Sequence, residues 1–138
     1  MRKRVIVAFA LQLLLIAFSK CKKMDLADVN VQSVILHKCT SKSAQGHICF
    51  DSLLEDSRCP RGAVCVWSGT ALIGVTFHET SRAHSFVMSL KGFPSLGYPA
   101  DTTINGYRII FTNLEPYPDL NSPGPQKLAK KASFTITR

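Results

Sequence analysis

Alternating apolar and polar residues dominate the chain from residue 31 onward. In the clearest case His84, Phe86, Met88 and Leu90 alternate with serine and valine, which is the period of a half-buried strand rather than of a helix. The predicted strands are Val31–Cys39, Ile48–Leu54, Val64–Trp67 continued as Ala71–His78, His84–Leu90, Tyr107–Leu114 and Ala132–Thr137. A bulge or tight turn near Gly69 is expected to interrupt the third of these.

Six to seven short strands without a helical segment predict an all-β fold, an antiparallel β-sandwich or barrel. Two segments rich in glycine and proline, Lys91–Gly106 and Glu115–Lys127, are predicted to be long loops. Long ordered loops on a β scaffold often carry binding sites, and surface crossovers are the alternative interpretation.

The N-terminal segment follows a different pattern. A cationic cluster, Met1–Arg4, precedes an apolar run over Val5–Phe18 in which Gln12 is the single polar residue. This is the pattern of a signal peptide, and the run is shorter than the roughly 20 residues that span a bilayer. We therefore predict a signal peptide over residues 1–20, a tether over 21–30 and a single β domain over 31–138. An uncleaved anchor is a further alternative.

Cys21 is the predicted lipid attachment point. The residues Phe18-Ser19-Lys20 before it resemble a bacterial lipoprotein box, although Lys20 stands where a small residue is usual. Five cysteines leave one without a partner, and a thioether-linked lipid on Cys21 accounts for it. We expect an exported lipoprotein of the bacterial outer membrane, cell surface or periplasm, held to the membrane by this lipid. A soluble secreted protein, cleaved after Ala17-Phe18-Ser19, is the alternative.

The basic charge of the chain is moderate once the signal segment is set aside. Four of the seventeen Lys and Arg residues lie within residues 1–20, which leaves thirteen against nine acidic residues and a net charge of +4. The cluster Lys127, Lys130 and Lys131 is not interleaved with aromatic residues, as a single-strand binding groove would be. We expect a solvated basic surface and no nucleic-acid binding.

Four cysteines remain in the β domain, and they allow three pairings. If the first two predicted strands form a hairpin, Cys39 lies nearly opposite Cys49, at a separation that suits a disulfide. Cys59 and Cys65 would then close a short loop, and we expect these two bridges. His37 and His47, each two residues from a cysteine, suggest a zinc site as an alternative. Because an oxidising compartment favours disulfides, we expect no metal and no cofactor.

The most distinctive stretch is Asp56-Ser57-Arg58-Cys59-Pro60, followed by Cys65, Trp67 and Gly69. It resembles an uncharacterised family of small secreted or lipid-anchored β proteins of bacteria, common in Bacteroidetes. The segments Gly106–Ile109 and Leu114–Pro118 are similar to the closing strand and the Pro-Tyr-Pro turn of that family. The resemblance covers about residues 47–137 and implies a location and an architecture but no activity.

Three residues of these motifs are candidate binding residues: Arg58, Trp67 and Tyr117. Arg58 either pairs with Asp56 or Glu55 inside its loop or presents its guanidinium to a ligand. Trp67 is expected to cap the core.

We expect no enzymatic activity, because no catalytic motif places His37, His47, His78 or His84 beside an oriented nucleophile. The favoured function is a binding module of the bacterial envelope with a protein, peptide or glycan partner, a protease inhibitor being a special case. The alternative is a structural envelope lipoprotein without a specific ligand, which the ordinary composition and the lack of any exposed apolar run support.

Overall fold

Two antiparallel sheets of four strands each form the protein in the computed structural model, which describes residues 30–42, 46–92, 96–122 and 128–138. The predicted signal peptide, Cys21 and the tether up to residue 29 lie outside the described residues. The strands are β1 (Asn30–Ile35), β2 (Lys38–Cys39), β3 (His47–Asp56), β4 (Ala71–His78), β5 (Ala83–Ser89), β6 (Asp101–Ile104), β7 (Tyr107–Glu115) and β8 (Lys131–Thr137).

The first sheet has the order β1-β8-β7-β6 and the second the order β2-β3-β4-β5. Their inner faces enclose one apolar core, so the predicted all-β sandwich is confirmed. None of the described residues forms an α-helix, and this part of the chain therefore contains no helix long and apolar enough to cross a membrane.

Alternation of side chains fills this core. Along β4 every second residue is buried, and β8 repeats the pattern from the opposite sheet. Phe77 of β4 meets Tyr107 of β7 with ring centroids 5.5 Å apart, which joins the two sheets. Burying a large apolar side chain stabilises the fold by about 1.5 to 3 kcal/mol. A shift of one residue in register would expose these side chains, so their burial fixes the strand registers.

The structure differs from the predicted elements in three segments. The predicted strand Val31–Cys39 is divided between the two sheets at His37, whose φ of 62° turns the chain from β1 into β2. Val64–Trp67 is an exposed loop segment and not a strand. The predicted loop Lys91–Gly106 contains β6, a short edge strand paired with β7.

The two ends of the sandwich differ in chemistry. At one end of the β3–β4 pair His47 lies opposite His78, and at the other Asp56 lies opposite Ala71. We call the first the histidine end. The second, which also carries Arg58, the loop of residues 57–69 and the turn of residues 116–122, is the arginine end.

Candidate functional site

Arg58 is the centre of the arginine end and is only 3% exposed. Its Nε and Nη2 donate to the two carboxylate oxygens of Asp56, at 2.7 and 2.9 Å. Nη1 donates to the carbonyl of Leu114 (2.6 Å), and Nη2 donates also to the carbonyl of Pro116 (3.2 Å). The Arg58 side chain therefore connects the end of β3 in one sheet to the end of β7 in the other. The first of the two roles proposed for Arg58, pairing with Asp56, is the one that the structure contains.

Lys130, which immediately precedes β8 of the opposite sheet, adds a second cation to this ion pair. Its Nζ donates to Asp56 Oδ2 at 2.9 Å, while the neighbouring Lys131 pairs with Glu115 at 3.0 Å. Burial alone would raise the pKa of the Asp56 carboxyl, but the hydrogen bonds and charges of Arg58 and Lys130 outweigh it and lower the pKa. Lys130 is therefore part of a partly buried ion network and not simply solvated, whereas the Lys131–Glu115 pair is half-exposed, as a solvated basic surface predicts.

Tyr117 joins the loop of residues 57–69 to the turn of residues 116–122. Its hydroxyl donates to the Cys59 carbonyl (3.0 Å), and the guanidinium carbons of Arg58 and Arg61 lie 4.8 and 5.5 Å from its ring centroid. Arg61 also forms a parallel bridge with Asp119. The two sequence motifs that resemble the bacterial family therefore pack against each other.

Both predicted disulfides are present. Cys59–Cys65 closes the loop at the arginine end, and Cys39–Cys49 joins β2 to β3 at the histidine end. The first loop is further fixed at Gly69, which has a φ of +59° and packs so closely on the Ser57 backbone that a Cβ would overlap it. The amide of Ser57 donates to the Thr70 carbonyl (2.8 Å), and that of Cys59 donates to the Ser68 carbonyl (3.1 Å).

Three apolar side chains of this fixed loop, all within residues 64–67, are exposed to solvent. Val64 and Val66 are fully exposed, at 103% and 106% of their reference areas, and Trp67 is 64% exposed. We call residues 64–67 the apolar loop. The expectation that Trp67 caps the core is wrong, and so is the supposed lack of an exposed apolar run.

An open groove of about 510 Å³ lies at the arginine end, lined by residues from the end of β7 and from the turn that follows it. Its lining is largely apolar, with exposed Ile35 and Leu128 at its sides, and it includes Arg61 and Tyr117 from the region that carries the apolar loop. The Lys131–Glu115 ion pair lies at the same groove. The arginine end thus carries both an exposed apolar loop and a largely apolar groove.

The histidine end contains the residues that sequence analysis weighed for metal binding and catalysis. The rings of His47 and His78 stack at 4.5 Å, and burial, His78 and Lys42 lower the pKa of His47. Glu79 accepts a hydrogen bond from Asn105 (2.8 Å) and lies 3.6 Å from His84 Nε2. Both sulfurs of Cys39 and Cys49 are engaged in their disulfide, so neither is a thiolate ligand in this oxidised form. The expectation of no enzymatic activity stays a prediction.

No protein-family model, curated protein or solved structure matches this chain. The resemblance to the bacterial family therefore stays a prediction, and the assignment of a function depends on the geometry of the two ends.

Proposed function

We propose that this protein is an exported binding module whose apolar loop inserts into a protein or peptide partner. The observation that supports this most directly is the exposure of Val64, Val66 and Trp67 on a loop that a disulfide and a buried arginine hold in place. Exposed apolar clusters commonly mark interaction sites, and tryptophan is enriched among the residues that dominate binding energy.

The fixed shape of the loop favours binding. A flexible loop loses conformational freedom when it binds, at about 0.5 to 1.5 kcal/mol for each immobilised side chain. Here the backbone is already fixed around the apolar residues, because Val64 lies inside the loop that Cys59–Cys65 closes. Val66 and Trp67 lie between Cys65 and Gly69, whose backbone packs closely on Ser57. Burial of a valine or tryptophan in a partner would contribute about 25 cal/mol for each Å² removed from water.

Export and lipid attachment at Cys21 are part of this proposal. Two disulfides indicate a non-cytoplasmic, oxidising environment. The signal-like segment and the odd cysteine support an envelope lipoprotein, and intact mass after expression in a Gram-negative host would report cleavage, acylation and thiol count together. The alternative of a purely structural lipoprotein loses one of its two supports, because the apolar loop is an exposed apolar run.

The test uses Trp67, which is the single tryptophan of the chain and therefore a local fluorescence probe. The immobilised protein is used to capture partners from bacterial envelope extract, and each purified candidate is then added to the free protein. A true partner shifts the Trp67 emission to shorter wavelength because it removes the indole from water. The Val64→Ser/Val66→Ser variant is expected to keep its melting temperature and to lose at least about tenfold in affinity, which corresponds to about 1.4 kcal/mol.

Two controls make this test decisive. Ile35→Ser changes an exposed residue of the groove and separates the contribution of the groove from that of the apolar loop. A panel of proteases examines the inhibitor variant of the hypothesis, in which the loop closed by Cys59 and Cys65 occupies an active site. If salt-resistant partners bind wild type and the Val64→Ser/Val66→Ser variant equally well, the apolar loop is not the binding site.

A further inference from the structure

The Cys39–Cys49 bridge lies beside an imidazole at the exposed edge of the second sheet. Cys39 and Cys49 are directly opposite residues of β2 and β3, with Cα atoms 3.9 Å apart. His47 is two residues from Cys49 on the same strand, so both side chains leave the same face of the sheet. One donor atom of His47 and the two sulfurs all lie within 4.8 Å of one another.

Backbone hydrogen bonds hold these two strands together independently of the bridge. The amide of His37 donates to the Phe50 carbonyl (2.7 Å), and that of Thr40 donates to the Ile48 carbonyl (2.9 Å). These bonds flank the Cys39–Cys49 pair on both sides. The Ile48 amide additionally donates to the Thr40 hydroxyl at 3.1 Å. Breaking the S–S bond therefore leaves the two sulfurs close together, because β2 and β3 are still paired by these backbone hydrogen bonds.

We propose that reduction of the Cys39–Cys49 bridge creates a zinc site with Cys39, Cys49 and His47 as its protein ligands. In a tetrahedral site with ordinary Zn–S and Zn–N bonds, the ligand atoms stand about 3.5 to 3.8 Å apart. The sulfurs move apart and the imidazole approaches to reach this spacing, which rotation about side-chain bonds can supply. The three ligands leave the fourth position open to water or to an incoming ligand.

The redox step requires a dithiol reductant from outside the protein. Its two S–H groups become a disulfide, and the Cys39–Cys49 S–S bond is broken as each sulfur gains one electron and one proton. Zinc then replaces the two thiol protons, which are released to solvent. Cys39 is exposed on a two-residue edge strand, so an attacking thiolate can reach it. The site is thus closed to metal in the oxidised protein and available in the reduced protein.

The test uses the full chain with Cys21→Ser, Cys59→Ser and Cys65→Ser, so that Cys39 and Cys49 are the remaining cysteines. The protein is reduced, freed of reductant and titrated with Co²⁺, whose thiolate charge-transfer absorption reports sulfur ligation. We expect one Co²⁺ for each chain, displaced by Zn²⁺, in the reduced protein and no such absorption in the oxidised protein. His47→Gln is expected to weaken binding at least about tenfold, whereas His37→Gln, the matched control, leaves it unchanged.

Several results would overturn the proposal. Equal Co²⁺ affinity after His47→Gln and His37→Gln removes His47 from the site. Reduced protein that keeps its β circular dichroism but gives no thiolate absorption, or that unfolds when only this bridge is reduced, removes the site altogether. If the triple-serine protein does not fold, the same comparison is made between fully reduced wild type and a Cys39→Ser/Cys49→Ser variant, and equal absorption in the two contradicts the proposal.

Discussion

The two disulfides of this small sandwich lie in different structural settings, one between paired strands and the other in a loop. At the histidine end Cys39–Cys49 connects residues that the β ladder already places opposite each other. At the arginine end Cys59–Cys65 closes a loop outside both sheets, and the side chains of Arg58 and Tyr117 fix the surrounding segments. The Cys39–Cys49 disulfide links two strands that backbone hydrogen bonds already pair, whereas the Cys59–Cys65 disulfide fixes the conformation of an exposed loop. This difference is why we propose binding at the arginine end and redox sensitivity at the histidine end.

The largest expected effect is at Arg58. Arg58→Ala leaves the Asp56 carboxylate without its main partner and removes the donors to the Leu114 and Pro116 carbonyls. Breaking a buried ion pair in this way costs about 3 to 5 kcal/mol of unfolding free energy. Urea denaturation measures the loss, and Arg61→Ala, at the exposed neighbouring arginine, is the control with a change below about 1 kcal/mol. Equal losses for the two variants would contradict the central position given to Arg58.

Gly69 provides the next largest effect. Gly69→Ala combines the strain of a left-handed residue with overlap of the Ser57 backbone, and we expect a loss of about 3 kcal/mol. Gly106 is the matched control, since its φ of +84° is also left-handed but nothing lies within 4 Å of its added Cβ. Gly106→Ala should cost about 1 kcal/mol. Thermal denaturation of both variants tests this, and a Gly69→Ala protein as stable as Gly106→Ala would refute the close approach.

Removing each disulfide in turn tests the comparison itself. The sequence separations are 10 residues for Cys39–Cys49 and 6 for Cys59–Cys65, so loop-closure entropy gives similar contributions of about 2 to 3 kcal/mol. We expect Cys39→Ser/Cys49→Ser and Cys59→Ser/Cys65→Ser to lose similar stability in urea denaturation. Partner affinity, measured by Trp67 fluorescence, is expected to fall only in the second variant. If affinity falls equally in both, the division of roles between the two ends is wrong.

The sequence predicts the regular part of this fold well, because burial imposes its period directly on β4 and β8. The opposition of Cys39 and Cys49 also follows from local pairing. Val64–Trp67 is different, since a short apolar run has the same composition in a buried strand and in an exposed loop. The short edge strand β6 has few residues and lies among glycine and proline, so no pattern reveals it.

The contacts of Arg58 divide in the same way. Its pairing with Asp56, two residues away, is one of two alternatives that the sequence supports. Its bonds to the Leu114 and Pro116 carbonyls span 56 and 58 residues. Carbonyl acceptors carry no residue-type signature, so only the packed structure identifies them. The same applies to Lys130, which belongs to a basic cluster in the sequence but donates a hydrogen bond to the Asp56 carboxylate in the fold.

The smallest expected effect is a loss of stability in acid that originates at the arginine end. The pKa of Asp56 is lowered in the folded protein from an ordinary value of 3.8, so the folded state binds its proton less readily than the unfolded chain. This contribution to stability is complete above that value and disappears as the pH falls through the lower folded pKa. Urea denaturation at intervals from pH 7 down to strongly acidic pH should show a decline in the free energy of unfolding, and this decline should be shallower in Asp56→Asn.

Asp101→Asn is the control, because the Asp101–Arg108 pair is half-exposed and surface pairs contribute little. If Asp101→Asn flattens the acid decline as much as Asp56→Asn does, the acid sensitivity is a general property of the surface and the buried ion pair at Arg58 is not its source.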